Sequence, residues 1–184
     1  MSLRATLLII AIALGAGIAG YFAGSYWLQS EATPSAAEAG VGDAAPSFEL
    51  PDLGGQLVNP EDFRGKAILI NFWATWCAPC RREMPHLMEL HDSFEDGRAA
   101  VIGIALDREA DVRSFVQELG IRYPILLAGD IEGTRLVQRY GNSQVLLPYS
   151  VFVRPDGTVD HAVLGEVTLE EARDRLLELL DRHR

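Results

Sequence analysis

Three apolar runs of strand length alternate with helix-length segments in the middle of the chain, and this order restricts the possible folds more than any other feature. The runs KAILINFWA (66–74), AAVIGIAL (99–106) and YPILLA (123–128) are almost wholly apolar, as is typical of strands buried on both faces of a sheet. The segment EADVRSFVQELG (109–120) between the last two has the apolar spacing of an amphipathic helix. Strands separated by helices predict a parallel sheet with right-handed crossovers.

The flanking segments predict antiparallel pairs and a last helix. FEL and QLV surround the turn PDLGG, and YSVFV and TVDHAVL surround RPDG, so each pair predicts a hairpin. Thr168 and Glu171 have the spacing of a capping box at the start of TLEEARDRLLELLDRHR. The predicted fold class is therefore α/β, with a mixed central β-sheet flanked by helices on both faces.

Residues 5–28 form a long apolar stretch that no charged residue interrupts. A helix of this length, at about 1.5 Å per residue, crosses the roughly 30 Å hydrocarbon core of a bilayer. We interpret residues 1–28 as a membrane anchor or uncleaved signal. A cleaved signal peptide is the alternative, although its apolar region is usually about 7 to 15 residues.

The charges that flank this stretch predict its orientation. Arg4 precedes it and Glu31 follows it, so the positive-inside rule places the rest of the chain on the periplasmic or extracytoplasmic side of a bacterial cytoplasmic membrane. Residues 29–45 are small and polar and predict a flexible linker. Residues 46–184 are left as the folded domain.

Composition excludes two classes of function. A net charge of −10 argues against nucleic acid as a partner, because phosphate binding requires clustered positive charge. The two cysteines are too few for a scaffold held together by disulfides. They are Cys77 and Cys80, and the purpose of such a closely spaced pair is the main functional question in this chain.

Cys77 lies where a buried strand ends and a helix is predicted to begin. The free amides and the dipole of a helix N-terminus stabilise an anion, so the thiol pKa of Cys77 is expected to fall. Cys77 is expected to be partly exposed and to be the attacking thiol. Cys80 is one turn further along and is expected to be the buried, resolving thiol. A zinc site with His86 and His91 is one alternative, although its spacing differs from that of a Cys₂His₂ finger. An inert disulfide is the other, although so short a loop stabilises little.

FELPDLGGQLVNPEDFRGKAILINFWATWCAPCRREMP (48–85) resembles the TlpA/ResA branch of the thioredoxin superfamily, which consists of membrane-anchored thiol–disulfide oxidoreductases. The resemblance covers about residues 46 to 165. It implies a thioredoxin-like fold, no cofactor, protein thiol or disulfide substrates and recharging by a membrane reductant carrier. The implied role is reduction of substrate disulfides, for example in cytochrome c maturation. The alternatives are a disulfide oxidase, or a metallochaperone or metal-binding adaptor that uses Cys77, Cys80 and a histidine. A thiol peroxidase is disfavoured because its reactive cysteine usually stands alone.

The resemblance also implies a cis-proline that faces the cysteine pair, and its match is Pro148 in LLPYSVFV. A cis bond there would orient the backbone of Leu147 to pair with an extended substrate. An ordinary trans proline is the alternative. Leu147 and Tyr149 are bulkier than the residues that many relatives have at these positions, so they are expected to narrow the substrate groove.

Further roles are implied near the cysteines. Glu83 matches a glutamate that tunes the thiol pKa values or relays protons, the alternative being a solvated helix residue. Trp76 is expected to pack beside the site and contact substrate, or else to be an ordinary core residue. Arg81 and Arg82 either favour the thiolate or form a solvated face. Asn71 replaces the buried aspartate of thioredoxin, and because an amide cannot accept a proton, Glu83 or water must serve.

Overall fold

The computed structural model describes residues 39–182. The predicted membrane helix and residues 29–38 of the predicted linker lie outside the described residues. Within 39–182, no helix is both long enough and apolar enough to cross a bilayer.

The predicted strands and helices are present in the predicted order. They are β1 (Leu50–Pro51), β2 (Leu57–Val58), a 3-10 helix (Pro60–Phe63), β3 (Ala67–Trp73), α1 (Ala78–Asp92), β4 (Ala99–Ala105), α2 (Glu109–Leu119), β5 (Ile125–Leu127), α3 (Gly129–Arg139), β6 (Tyr149–Val153), β7 (Val159–Leu164) and α4 (Leu169–Asp181). The predicted capping box of α4 is formed, since the Thr168 hydroxyl accepts from the Glu171 amide.

The five main strands form one mixed sheet in the order β5-β4-β3-β6-β7. Strands β3, β4 and β5 are parallel, whereas β6 and β7 are antiparallel to their neighbours. All seven residues of β3 are buried, as its apolar sequence predicts. One apolar cluster packs α1, α2 and α4 on one face of the sheet, and a second cluster packs α3 on the other. The α/β fold with helices on both faces is therefore confirmed.

The last residues of the predicted linker belong to the domain. The amide of Ala39 donates to the carbonyl of Arg139 at 2.8 Å, and the amide of Gly42 donates to the carbonyl of Val159 at 2.8 Å. The amide of Ala45 donates to the carbonyl of Gly157 at 2.9 Å. These backbone hydrogen bonds attach residues 39–45 to the domain. The small, polar composition of this segment does not predict such bonds.

Candidate redox site

Cys77 is the N-cap of helix α1, at the carboxyl end of the central strand. Its sulfur accepts a hydrogen bond from the amide of Cys80 at 3.3 Å, which the sequence predicts from the position of Cys77 at a helix start. The two cysteines form a disulfide, with their Cα atoms 5.3 Å apart. The pair therefore lies where a thiolate released by reduction would face the positive end of the helix dipole.

The disulfide is more deeply buried than the sequence suggests. Cys77 is only 4% exposed and Cys80 is fully buried. The expectation of a partly exposed Cys77 is therefore wrong for the oxidised protein, because Trp73, Ala74 and Met84 belong to the apolar cluster that encloses both cysteines. Cys77 is still the more accessible of the two, in the order that its role as attacking thiol requires.

The two histidines considered as zinc ligands do not gather around the cysteines. His86 is exposed, and the ring of half-buried His91 lies 6.5 Å from that of Tyr123, between centroids. Within residues 39–182 no group of three or more histidine, cysteine, aspartate or glutamate side chains could hold a metal ion. Nothing in the described part of the chain therefore supports the zinc alternative.

Glu83 is a buried carboxyl one turn beyond Cys80 on helix α1. The residue is 1% exposed, so the alternative of a solvated helix glutamate is wrong. Its Oε1 accepts from the side-chain amide of Asn71 at 2.8 Å, and its Oε2 accepts from the backbone amide of Val167 at 3.0 Å. Burial raises the pKa of Glu83 to about 7, although these two bonds oppose the rise. Such a carboxyl can exchange a proton near neutral pH.

Asn71 holds this carboxyl from the centre of the sheet. Its Nδ2 donates to Glu83 and also to the hydroxyl of Ser150 at 3.0 Å, on the adjacent strand β6. Asn71 pairs with Ser150 in the sheet register, so both side chains lie on the same face. The amide that cannot take a proton therefore acts as a donor that orients Glu83. Neither Ser150 nor Val167 is identifiable from the sequence, because Ser150 meets Asn71, and Val167 meets Glu83, only through tertiary packing.

Trp76 projects into solvent immediately before Cys77. Its exposure of 71% rules out the alternative of a core tryptophan and leaves its apolar face available to a substrate. The guanidinium of Arg81 lies 4.9 Å from the ring centroid of Phe115, and Arg82 forms an exposed ion pair with Glu166. The charge of Arg82 is therefore paired at the surface.

The cis peptide bond expected from the resemblance is present between Leu147 and Pro148. Strand β6 begins at Tyr149, which pairs with Phe72, so Pro148 lies at the sheet edge where β3 leads into the disulfide. Tyr149 is buried and its hydroxyl donates to the carbonyl of Tyr140 at 2.8 Å. It therefore does not narrow a groove, contrary to expectation. Leu147 is half-buried, and Leu146, which the sequence analysis did not identify, is 48% exposed beside it.

Asp107 is a second residue of the site that the sequence analysis missed. Its Oδ2 accepts from both the amide and the hydroxyl of Thr75, and its Oδ1 accepts from the amide of Arg108 at 2.8 Å. Burial opposes its ionisation, but these hydrogen bonds outweigh burial and hold the pKa of Asp107 below its usual range. The carboxylate thus fixes the turn before Cys77. Asp107 could have been identified from its position just after the buried strand β4. Because β4 is parallel to β3, the two strands end at the same edge of the sheet, where Cys77 lies.

A helix-capping Cys-x-x-Cys disulfide beside a cis-proline, on this sheet, defines a thiol–disulfide oxidoreductase with a thioredoxin-like fold. The chain belongs to the AhpC/TSA family, whose model matches residues 41–162. It is 32% identical to thiol-disulfide oxidoreductase ResA of Bacillus thuringiensis over 137 residues, which cover 74% of this chain and 76% of that protein. ResA of Bacillus anthracis is 33% identical over 132 residues, which cover 71% and 73%.

A solved structure supports the same assignment. The thioredoxin domain of a thiol-disulfide oxidoreductase from Bacteroides vulgatus superposes with a TM-score of 0.67 at 26% identity, covering 77% of this chain and 98% of that one. The predicted resemblance to ResA-type oxidoreductases and the predicted enzymatic activity are therefore confirmed.

Proposed function

We propose that this oxidoreductase reduces disulfides of protein substrates outside the cytoplasm, as in the maturation of cytochromes c or the assembly of copper sites. A membrane reductant carrier returns it to the dithiol form. The observation that carries this direction is the buried carboxyl of Glu83 one turn from Cys80, combined with the surface pairing of Arg82. A thiolate stabilised by cations makes a dithiol oxidising, whereas a nearby negative charge opposes that stabilisation.

The reaction then runs in two exchange steps. The Cys77 thiolate attacks one sulfur of the substrate disulfide, a mixed disulfide forms, and the other substrate sulfur leaves as a thiolate that takes up a proton. Cys80 loses its proton and attacks the sulfur of Cys77, which restores the Cys77–Cys80 disulfide and releases the second substrate thiol. Glu83, with a pKa of about 7, is the group on the same helix face that can accept the proton of Cys80.

The test of direction is the reduction potential of the purified full-length protein in defined ratios of reduced to oxidised dithiothreitol. We expect a value closer to that of thioredoxin, about −270 mV, than to that of DsbA, about −120 mV. The reason is the local charge balance at the dithiol, which does not favour a strongly acidic Cys77. A potential near that of DsbA would support the disulfide oxidase alternative instead.

We also propose that residues 1–28 anchor the protein in the cytoplasmic membrane with the domain outside. The support is the uncharged stretch 5–28 and its flanking charges. Alkaline phosphatase, which needs export to be active, should be active when fused after residue 45, and a β-galactosidase fusion at the same place should be inactive. Fractionation should leave the full-size protein in the membrane. A shortened product in the soluble fraction would show that a signal peptide has been removed.

A further inference from the structure

Helix α3 ends in a motif that fixes the start of the loop leading to the cis-proline. Gly141 has a φ of 94°, and its amide donates to the carbonyl of Gln138 at 2.9 Å. The amide of Asn142 reaches back to the carbonyl of Val137 at 3.1 Å. These two bonds form the Schellman pattern, in which a left-handed residue just past a helix satisfies its last carbonyls. The backbone of Asn142 is therefore tied to helix α3.

The side chain of Asn142 holds both main-chain groups of Leu146. Its Nδ2 donates to the Leu146 carbonyl at 2.7 Å, and the Leu146 amide donates to its Oδ1 at 3.2 Å. The amide of Val145 donates to the carbonyl of Asn142 at 3.1 Å, which closes the turn between them. Asn142 is buried, and an amide side chain offers the one donor and one acceptor that this arrangement requires.

Val145 shows that these bonds, and not local preference, determine the loop conformation. Its φ is 55°, in the left-handed region that a β-branched residue rarely adopts. Such a backbone persists only where the surrounding structure compensates for it. The hydrogen bonds of Asn142 to Val145 and Leu146 provide that compensation.

The far end of the loop is held equally firmly. The Tyr149 hydroxyl donates to the carbonyl of Tyr140, and the amide of Gly165 donates to the carbonyl of Pro148 at 2.9 Å. Leu147 lies between Leu146 and Pro148, and neither its amide nor its carbonyl has a hydrogen-bond partner within residues 39–182. Leu146 is not available to pair with a substrate main chain, because its amide and its carbonyl are both hydrogen-bonded to the side chain of Asn142.

We propose that Asn142 is a positioning residue that determines which main-chain groups pair with an extended substrate. By occupying Leu146 it leaves Leu147 as the pairing residue, and this fixes the register in which a substrate disulfide meets Cys77. The inference rests on the proposed reduction of protein disulfides, because a small disulfide has no main chain to align.

The test compares two disulfides reacting with the reduced full-length protein in detergent. One is a twelve-residue synthetic peptide with an internal Cys-Ala-Ala-Cys disulfide, and the other is 5,5′-dithiobis(2-nitrobenzoate). We expect Asn142→Ala to lower the second-order rate constant for the peptide about tenfold and to change that for the small disulfide less than about twofold, since two hydrogen bonds that define the loop are lost. Asn142→Asp should act in the same way, because it places an oxygen against the Leu146 carbonyl.

Ser143→Ala is the matched control, since this neighbour in the same loop is exposed. It should leave both rate constants unchanged, and thermal unfolding of each variant reports whether it is folded. Equal losses with both disulfides, or no loss with the peptide, would overturn the role of Asn142. A wild-type protein that reduces the small disulfide but not the peptide would overturn the proposed function. It would then also overturn the proposed role of Asn142 in substrate register.

Discussion

Cys77→Ser is expected to abolish thiol–disulfide exchange, whereas Cys80→Ser is expected to accumulate covalent complexes with substrate. The difference follows from the position of each sulfur. Cys77 caps helix α1 and is the more accessible of the pair, so it forms the mixed disulfide. Cys80 is fully buried one turn further along and can only resolve that intermediate. Without Cys80, the intermediate has no internal nucleophile.

Non-reducing gel electrophoresis of whole cells that express each variant measures this difference. Cys80→Ser should give bands above the monomer that disappear with dithiothreitol, and Cys77→Ser and the double variant should give none. Alkylation of the reduced wild-type protein at mildly acidic pH should modify Cys77 first. Preferential modification of Cys80, or trapping by Cys77→Ser, would reverse the assignment of attacking and resolving thiols.

The fold could be predicted from the sequence because the signals that specify it are local. The apolar run that becomes β3, the capping box at Thr168 and the spacing of Cys77 and Cys80 each depend on residues close together in the chain. The cis bond before Pro148 was predicted from the resemblance to the TlpA/ResA branch of the thioredoxin superfamily. Neither local signals nor this resemblance shows which side chains contact each other across the core.

The environment of the disulfide could not be predicted in the same way. Glu83 has the sequence surroundings of an exposed helix residue, with two arginines immediately before it, yet it is buried because α4 and β3 close over that face. Its partners Asn71 and Val167 are 12 and 84 residues away. The pKa of a carboxyl depends on such distant contacts, so its value follows from the packed structure and not from the motif.

The stability of the oxidised protein is expected to fall as pH rises from about 4.5 to about 7, and Glu83 is the cause. Its pKa is raised from 4.5 to about 7 by burial, so in this range the folded protein retains a proton that the unfolded chain has lost. The contribution of Glu83 to stability is therefore greatest below pH 4.5 and declines until Glu83 ionises in the fold. At about 1.4 kcal/mol for each unit of pKa, this rise lowers the free energy of unfolding by about 3 kcal/mol once Glu83 is ionised.

Glu83→Gln should remove this contribution from the pH profile of urea unfolding. Glutamine cannot ionise, so the pH-dependent contribution is lost. Its NH₂ group would face one of the two donors, Asn71 or Val167, and would leave that donor without an acceptor. The variant is therefore expected to be about 1–3 kcal/mol less stable than the wild type at low pH. Glu89→Gln is the matched control, because Glu89 is an exposed glutamate of the same helix. It should retain the wild-type slope. A Glu83→Gln profile parallel to that of the wild type would show that another group causes the decline.

The same substitution is expected to make the dithiol less reducing. An ionised Glu83 disfavours a thiolate on the neighbouring turn, so its removal should lower the thiol pKa values and stabilise the reduced form relative to the disulfide. We expect the reduction potential to rise by about 30 mV, which corresponds to about 1.4 kcal/mol for a two-electron couple. Glu89→Gln should leave the potential unchanged. If Glu83→Gln alters the pH dependence of stability but neither the potential nor the thiol pKa values, the carboxyl is a buried structural group that the redox chemistry does not use.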